Sequence, residues 1–209
     1  MRDPRAELRG KRRQVRPARR TVLAAQHPRH GKDDAGRLRA ALLFRPETPD
    51  DHDAVRAVVV SAFPTDLEAR IVDDLRAGGY VTLSLVAEDE GTIVGSAVFS
   101  LMTVEGPDAQ LRAVGLGPLA VAPSHQKLGA GSALVRSGID QLRQAGFDVI
   151  ALLGSTEYYP RFGFRTARDL NLHAADPSIP ASHFQALMLR GDPPAEATWL
   201  RYAPSFFIE

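Results

Sequence analysis

Two glycines separated by one residue, Gly129 and Gly131, stand where an apolar run gives way to a helical pattern. The run before them, residues 116–122, is apolar apart from Gly117 and Pro118, which suits a strand buried on both faces that is kinked or bulged at those two positions. Glycines at the mouth of a helix let a ligand approach the backbone, and the amides of the first turn point outward with the positive end of the helix dipole. This arrangement favours an anion such as a phosphate, although a plain turn is the alternative.

Two further patterns surround this loop. Apolar residues at helical spacing follow it and predict one buried stripe on a helix that ends near Gly146: Leu134, Val135, Gly138, Ile139 and Leu142. Downstream, the stretch GSTEYYPRFG at residues 154–163 predicts a short helix over residues 157–162, with Ser155 as its cap and Gly163 at its end. In chain order, a phosphate-sized loop therefore precedes one helix and one strand, and a tyrosine-rich turn follows them.

These residues resemble a known family. Gln126-x-x-Gly129-x-Gly131 behind an LGPLAVAP strand resembles the acetyl-CoA signature, Gln or Arg-x-x-Gly-x-Gly or Ala, of the GNAT superfamily of N-acetyltransferases. Tyr159-x-x-x-Gly163-Phe164 resembles the segment of that family in which a tyrosine faces the CoA sulfur. The longer YYPRFGF is similar to an uncharacterised bacterial subgroup with a YYxRFGF pattern.

The resemblance implies acetyl-CoA as co-substrate and a primary amine as acceptor, with direct attack of the amine on the thioester. It implies that the bulged strand and the loop after it bind acetyl-CoA, through Leu119, Ala120, Val121, Gln126, Lys127, Leu128, Gly129, Ala130, Gly131 and Ser132. Tyr159 is the expected general acid for the CoA thiolate. The alternative for Tyr159, and for Tyr158 beside it, is packing with a satisfied hydroxyl.

The general base and one expected contact have no match in the sequence. Residues 114–122 contain no Asp or Glu, so we expect deprotonation of the amine through water or by a residue elsewhere. His125 is expected to be a solvated loop residue. Many family members carry Asn at the end of the second parallel strand, where this chain has Gly154-Ser155. The contact that such an Asn makes to pantetheine is therefore in question here.

Other chemistries lack their residues. No Gly-Lys-Ser/Thr triplet completes a Walker A loop, and Gly115-x-Gly117-x-x-Ala120 falls inside a strand rather than after it. The absence of cysteine excludes disulfides, thiolate metal sites and a cysteine nucleophile, and no other spacing of residues predicts a metal site. The family mechanism needs none of these groups.

The pattern of elements predicts an α/β fold with a mixed sheet. We expect a strand at 41–45, a helix at 49–63, and a second helix to 77 that opens with a capping box at Thr65-x-x-Glu68. The next expected elements are a hairpin of 80–88 with 93–104 and a strand at 147–153 that runs parallel to the strand before it. A last strand at 184–189 completes the sheet. The resemblance implies the GNAT fold, in which the two parallel strands splay apart between flanking helices.

Length and charge divide the chain. Its 209 residues, 44% of them hydrophobic, suit one domain with extensions, which we place at residues 41–190. Residues 1–40 hold 13 Lys and Arg against 4 Asp and Glu, a charge of +9, while the rest carries −8. We expect a disordered basic extension there, and a packed tail over 191–209 with Trp199, Tyr202, Phe206 and Phe207 at an edge.

Several expectations concern partners and location. The basic extension is either non-functional or an arm for nucleic acid or an acidic partner, and it lacks the interleaved aromatic residues that stack on bases, so nucleic acid is not expected. Without a long apolar run or a signal sequence, we expect a cytoplasmic protein without membrane contact. It is a monomer or a homodimer. The alternative to the enzyme is a non-catalytic module that binds acyl-CoA or a protein.

Overall fold

The computed structural model describes residues 42–208, so the predicted basic extension lies outside the described residues. The strands are Leu43–Pro46 (β1), Val81–Asp89 (β2), Thr92–Leu101 (β3), Thr103–Glu105 (β4), Ala113–Val121 (β5), Val149–Leu153 (β6), Arg165–Thr166 (β7), Leu172–Ala174 (β8), Phe184–Met188 (β9) and Thr198–Arg201 (β10). The helices are His52–Ala62 (α1), Leu67–Ala77 (α2) and Ala130–Gln144 (α3). Within residues 42–208 none of the helices is long and apolar enough to cross a membrane.

Seven strands form a mixed sheet in the order β1-β2-β3-β5-β6-β9-β7. Only β5 and β6 run parallel among these neighbours, as a helical crossover requires, and their pairing covers three residues and ends at Gly115 opposite Ala151. On its other side β5 carries one extra residue against β3, between Leu116 and Leu119. The predicted bulge at Gly117 and Pro118 is therefore confirmed, and the two parallel strands separate just beside it.

Helices cover both faces of this sheet. The predicted stripe of α3 is buried against one face, and Phe99 of β3 lies so close to Gly138 that a Cβ there would be 2.1 Å from the ring. On the opposite face α1 buries Val55, Val58 and Val59 in one apolar cluster with Val86, Ile93 and Ala120 of the sheet. Beside them α2 packs against the apolar residues that follow β10. The sheet is thus a central layer, and β5 and β6 lie in its middle.

Strand β10, in the C-terminal segment, is central to a second sheet. The strand predicted over 93–104 is in fact two: β3 ends at Leu101, and β4 joins β10 and β8 in a three-stranded sheet. In that sheet β10 is the middle strand, antiparallel to β4 and parallel to β8. Tyr202 is buried, but Trp199 and Phe207 are 42% and 45% exposed, so the expectation that all four aromatics pack at an edge is wrong for those two.

The capping box predicted for α2 is wrong. The helix is capped at Asp66, one residue later than the box requires, and the Thr65 hydroxyl only accepts a bond from the Leu67 amide at 3.4 Å. The carboxylate of Asp66 lies 3.8 Å from the Arg56 guanidinium instead of bonding the helix end. Glu68 is left with a buried Oε2 that has no hydrogen-bond partner within the described part of the chain.

The cap before α1 is built around Asp51. Its Oδ2 accepts hydrogen bonds from the amide and the hydroxyl of Thr48, both at 2.8 Å, and Arg45 binds the carboxylate with both terminal nitrogens, at 2.6 and 2.8 Å. The Arg45 guanidinium, opposed in part by burial, holds the pKa of Asp51 well below its usual range. Thr48 is thus the N-cap of a 3₁₀ helix over Pro49–Asp51, which leads into α1.

We expect Asp51→Asn to destabilise the protein by about 2 kcal/mol at neutral pH, because it removes the charge that holds Arg45. Since folding lowers the pKa of this carboxyl, its stabilisation is complete above the ordinary pKa near 4 and decreases as the pH falls below it. Urea unfolding at neutral and acidic pH measures both effects. Asp73→Asn, at an exposed ion pair with Arg56, is the matched control and should change stability by less than about 0.5 kcal/mol. Equal effects of the two variants would contradict this role of Asp51.

Candidate functional site

The amino end of α3 presents free backbone amides. Gly129 caps the helix with φ +96°, a left-handed conformation, and has no side chain to bond the first turn. The first helical bond runs from the Ala133 amide to the Gly129 carbonyl at 3.0 Å. The amides of Ala130, Gly131 and Ser132 therefore lack a helical acceptor and point outward with the positive end of the dipole. An anion is the ligand that this geometry favours.

The residues before Gly129 shape the loop. Lys127 has φ +63°, is exposed, and is the one lysine in residues 42–208, so it adds a positive charge beside the free amides. Leu128 is 55% exposed. The side-chain amide of Gln126 instead donates to the Val121 carbonyl at 3.0 Å and closes the end of β5. Of these three, Lys127 and Leu128 face outward, whereas Gln126 holds the loop to the strand.

His125 contributes differently from the expectation. Its Nε2 lies 3.0 Å from the carboxylate of Asp89, the last residue of β2, and its Nδ1 lies 2.9 Å from the Ser124 hydroxyl. The side chain is only 17% exposed, so the prediction of a solvated histidine is wrong. This contact ties the amide loop to the β2–β3 hairpin, 36 residues earlier in the chain.

The gap between β5 and β6 exposes a strand edge. Residues 116–121 pair with β3 on one side, but the ladder with β6 has already ended at Gly115, so their other side has no strand partner within residues 42–208. Leu119 and Val121 are partly buried beside the gap. The side chain of Ala120 is buried on the α1 face, which leaves only its backbone for a ligand. An extended chain with amide groups can pair with such an edge.

Tyr159 stands at the end of β6. Its ring packs so closely on Gly154 that a Cβ there would be 2.5 Å from Cε2, so this position has no room for a larger residue unless the ring moves. The rings of Tyr158 and Phe164 meet it edge-on, at centroid distances of 5.0 and 5.7 Å. Burial, with a smaller contribution from Tyr158, raises the pKa of Tyr159 to about 12. Within residues 42–208 its hydroxyl makes no hydrogen bond, so a protonated phenol is available for a ligand.

Tyr158 has a polar contact that the sequence did not indicate. Its hydroxyl lies 3.3 Å from the Ser132 hydroxyl in the first turn of α3, and the Arg161 guanidinium lies 4.7 Å from the centre of its ring. The helix predicted over residues 157–162 is a 3₁₀ helix over Tyr159–Phe162 with Tyr158 at its N-cap, and it ends at Gly163 with φ +93°, as predicted. The Ser155 hydroxyl accepts hydrogen bonds from the amides of Glu157 and Tyr158 at 3.2 Å each, in the turn before this helix. The tyrosine turn is thus fixed across the mouth of α3.

The acid-base and metal chemistry of the site is limited. No carboxylate projects from β5, whose sequence is AVGLGPLAV. Within the described residues no group of three or more His, Asp and Glu side chains could hold a metal ion. The site therefore combines amides for an anion, an open strand edge and a phenol, without a carboxylate on the central strand.

Comparison with known proteins gives the family. Residues 42–164 match the Acetyltransferase (GNAT) family. The chain is 38% identical over 152 residues, which are 72% of this chain and 89% of the relative, to a protein of Escherichia coli K12 named "Uncharacterized N-acetyltransferase YhbS". It is 36% identical over 145 residues, 67% of this chain and 78% of the relative, to the E. coli K12 protein named "Uncharacterized N-acetyltransferase YjhQ".

Two solved structures are similar throughout most of their length. The E. coli YhbS structure in complex with CoA superposes with a TM-score of 0.75 at 35% identity and covers 86% of this chain and 97% of its own. A GNAT acetyltransferase from Brucella melitensis in complex with acetyl-CoA superposes with a TM-score of 0.63 at 34% identity, covering 79% and 97%. The predicted fold is confirmed by these likenesses, and the chain belongs to the acetyltransferase (GNAT) family.

Proposed function

We propose that the protein transfers the acetyl group of acetyl-CoA to a primary amine. The observation that carries this proposal is the continuity of the site: the free amides of Ala130, Gly131 and Ser132 follow the open edge of β5, and Tyr159 packs on Gly154, directly after β6 on the other side of the gap. A CoA molecule has the matching groups in the same order, a pyrophosphate, an amide-bearing pantetheine arm and a sulfur. The complexes of the YhbS and Brucella proteins with CoA and acetyl-CoA support this choice.

The proposed roles follow from the positions of the groups. Gln126 keeps the loop in place, and Lys127 and Leu128 flank the pyrophosphate bound by the residues from Gly129 to Ser132. Leu119, Ala120 and Val121 present backbone to the pantetheine arm. Amides along the same edge donate to the carbonyl oxygen as negative charge develops there, an interaction that is typically worth about 3 kcal/mol per donor.

Proton transfer requires a relay through Tyr159. The neutral amine attacks the thioester carbonyl, the C–S bond breaks, and the sulfur must gain a proton while the new amide nitrogen loses one. A phenol with a pKa of about 12 is a weaker acid than a thiol, whose pKa is about 8.5, so it cannot end the reaction deprotonated. Tyr159 therefore donates to the sulfur and recovers a proton that originates from the amine, either through water or through a residue outside β5.

The acceptor is proposed from charge alone. Residues 41–209 carry a net charge of −8, which attracts cationic molecules over a distance of about one Debye length. A primary amine is cationic in solution and must lose one proton before it attacks. We therefore propose an amine that approaches as a cation and reacts in its neutral form.

The test is release of CoA thiol from acetyl-CoA, followed with a thiol-reactive dye, in the presence of a panel of diamines, polyamines, amino-acid amides and a lysine peptide. The protein has no cysteine and contributes no background. We expect micromolar binding of acetyl-CoA by calorimetry and turnover that at least one amine stimulates. Absence of acetyl-CoA binding by the full chain would refute the proposal. Binding without transfer to any amine would instead favour the non-catalytic acyl-CoA-binding module.

A further inference from the structure

Tyr202, directly after β10, reaches the middle of the main sheet. Its ring crosses the bare backbone of Gly115, where a Cβ would be 2.6 Å from the ring, and it is 7% exposed. Phe206 and Phe184 pack on the ring at centroid distances of 4.7 and 6.3 Å. Gly115 is the last residue of β5 that pairs with β6. The C-terminal segment thus places a phenol at the point where the two parallel strands separate.

The hydroxyl of Tyr202 meets a backbone amide left free by that separation. The Val149 amide points towards β5, where it donates to the Arg112 carbonyl at 3.2 Å. Because the amides of a strand point to alternate sides, the Leu153 amide, four residues later, points to the same side. The ladder with β5 ends at Ala151, so the Leu153 amide has no partner on that strand. It approaches the Tyr202 hydroxyl instead. The phenol therefore lies at the gap, on the face that packs against the second sheet, beside the last paired residue of β5.

Two phenols reach this gap from opposite faces of the sheet. Tyr159 packs with the apolar cluster beneath α3, whereas Tyr202 belongs to the cluster shared with the second sheet. The two phenols are close enough to interact electrostatically. Burial is the main cause that raises the pKa of Tyr202, and the neighbouring Tyr159 raises it further. Two neighbouring phenols in a buried gap stay protonated together, because each resists ionisation of the other.

We propose that Tyr202 is a positioning residue for Tyr159. In this role Tyr202 holds the gap between β5 and β6 at the width and polarity that the Tyr159 hydroxyl needs to reach the sulfur of CoA. This role rests on the proposed function, since it assumes that CoA lies along β5. It also gives a reason why the C-terminal segment carries a tyrosine at this position, where phenylalanine would pack equally well.

The first test compares Tyr202→Phe with Tyr159→Phe and the double variant, with Trp199→Phe as control because that exposed ring stacks on His173 away from the gap. We expect Tyr202→Phe to keep its KM for acetyl-CoA within about twofold and to lose about tenfold in kcat. The double variant should be no slower than Tyr159→Phe alone, because one residue acts through the other. A kcat within twofold of the wild type, or effects that multiply in the double variant, would overturn the proposal.

A second measurement needs no acceptor. Calorimetry at about pH 9, where the thiol is partly ionised, compares CoA with desulfo-CoA. The wild type should bind CoA about fivefold more tightly, because the phenol donates to the sulfur, and both Tyr159→Phe and Tyr202→Phe should lose this preference. A preference that survives in Tyr202→Phe would overturn the role of Tyr202 alone. A wild type that binds neither ligand would refute the proposed function itself.

Discussion

Tyr159→Phe should lower kcat by about 100-fold while leaving the affinity for acetyl-CoA within about threefold of the wild type. The substitution removes only the hydroxyl. The ring keeps its packing on Gly154 and Phe164, so the fold and the amide loop are preserved. What is lost is the hydroxyl that we propose as the donor for the departing thiolate. Steady-state release of CoA thiol measures kcat, and calorimetry measures binding on the same samples.

The matched control is Tyr80→Phe. Tyr80 is also half-buried and its ring packs on Gly78, but it precedes β2 and lies outside the proposed site. It should retain kcat within about twofold. If Tyr159→Phe behaved like this control, the phenol would be a packing residue and the donor for the sulfur would have to be sought elsewhere.

The pH dependence has a definite sign. Burial raises the pKa of Tyr159 to about 12, and the protonated form is the donor in the proposed mechanism, so we expect this role to be lost only as the pH rises through that value. From about pH 6 to 10 the rate should therefore rise with pH, as the acceptor amine becomes neutral, and should not fall again because of this tyrosine. A descending limb below pH 10 that disappears in Tyr159→Phe would contradict this assignment.

Replacing Gly129 by Val and Gly131 by Leu together should weaken acetyl-CoA binding by about 100-fold or more, the loss expected when two charge-assisted hydrogen bonds are broken. Gly129 has φ +96°, which a branched residue adopts only with strain, so the amides that follow would turn away. A side chain on Gly131 would meet the Tyr158 hydroxyl at 3.3 Å and Val121 at 3.5 Å, and would fill the mouth of α3.

Calorimetric titration of acetyl-CoA into the full chain measures this effect. Gly191→Val is the control, because Gly191 also has a left-handed φ, +65°, with no atom within 4 Å of the added Cβ, and it lies outside the loop. It also introduces a branched residue at a left-handed position, outside the proposed anion site, so it should lower stability and leave binding unchanged. Unaltered binding in the double variant would show that the anion is held elsewhere.

The sequence predicted the parts of the site that are local in the chain. The glycine loop, the stripe of α3, the bulge at Gly117 and Pro118 and the turn ending at Gly163 were all confirmed, because each depends on residue types within one element. The error at Thr65 is also local. Thr65-x-x-Glu68 has the residue types of a capping box, but the helix starts one residue later than that box requires.

Only the tertiary structure decided the contacts between residues that are far apart in the chain. Tyr202 meets Gly115, 87 residues earlier, and β10 joins β4 and β8 only because the main sheet brings their ends together. Likewise the contact of Tyr158 with Ser132 and that of His125 with Asp89 join residues that are 26 and 36 positions apart in the chain. Hydrophobic period and cap residues report on neighbours within a few positions. These local patterns predict which face of a helix or strand is buried. Which residues pack against that face depends on the packing of the whole chain.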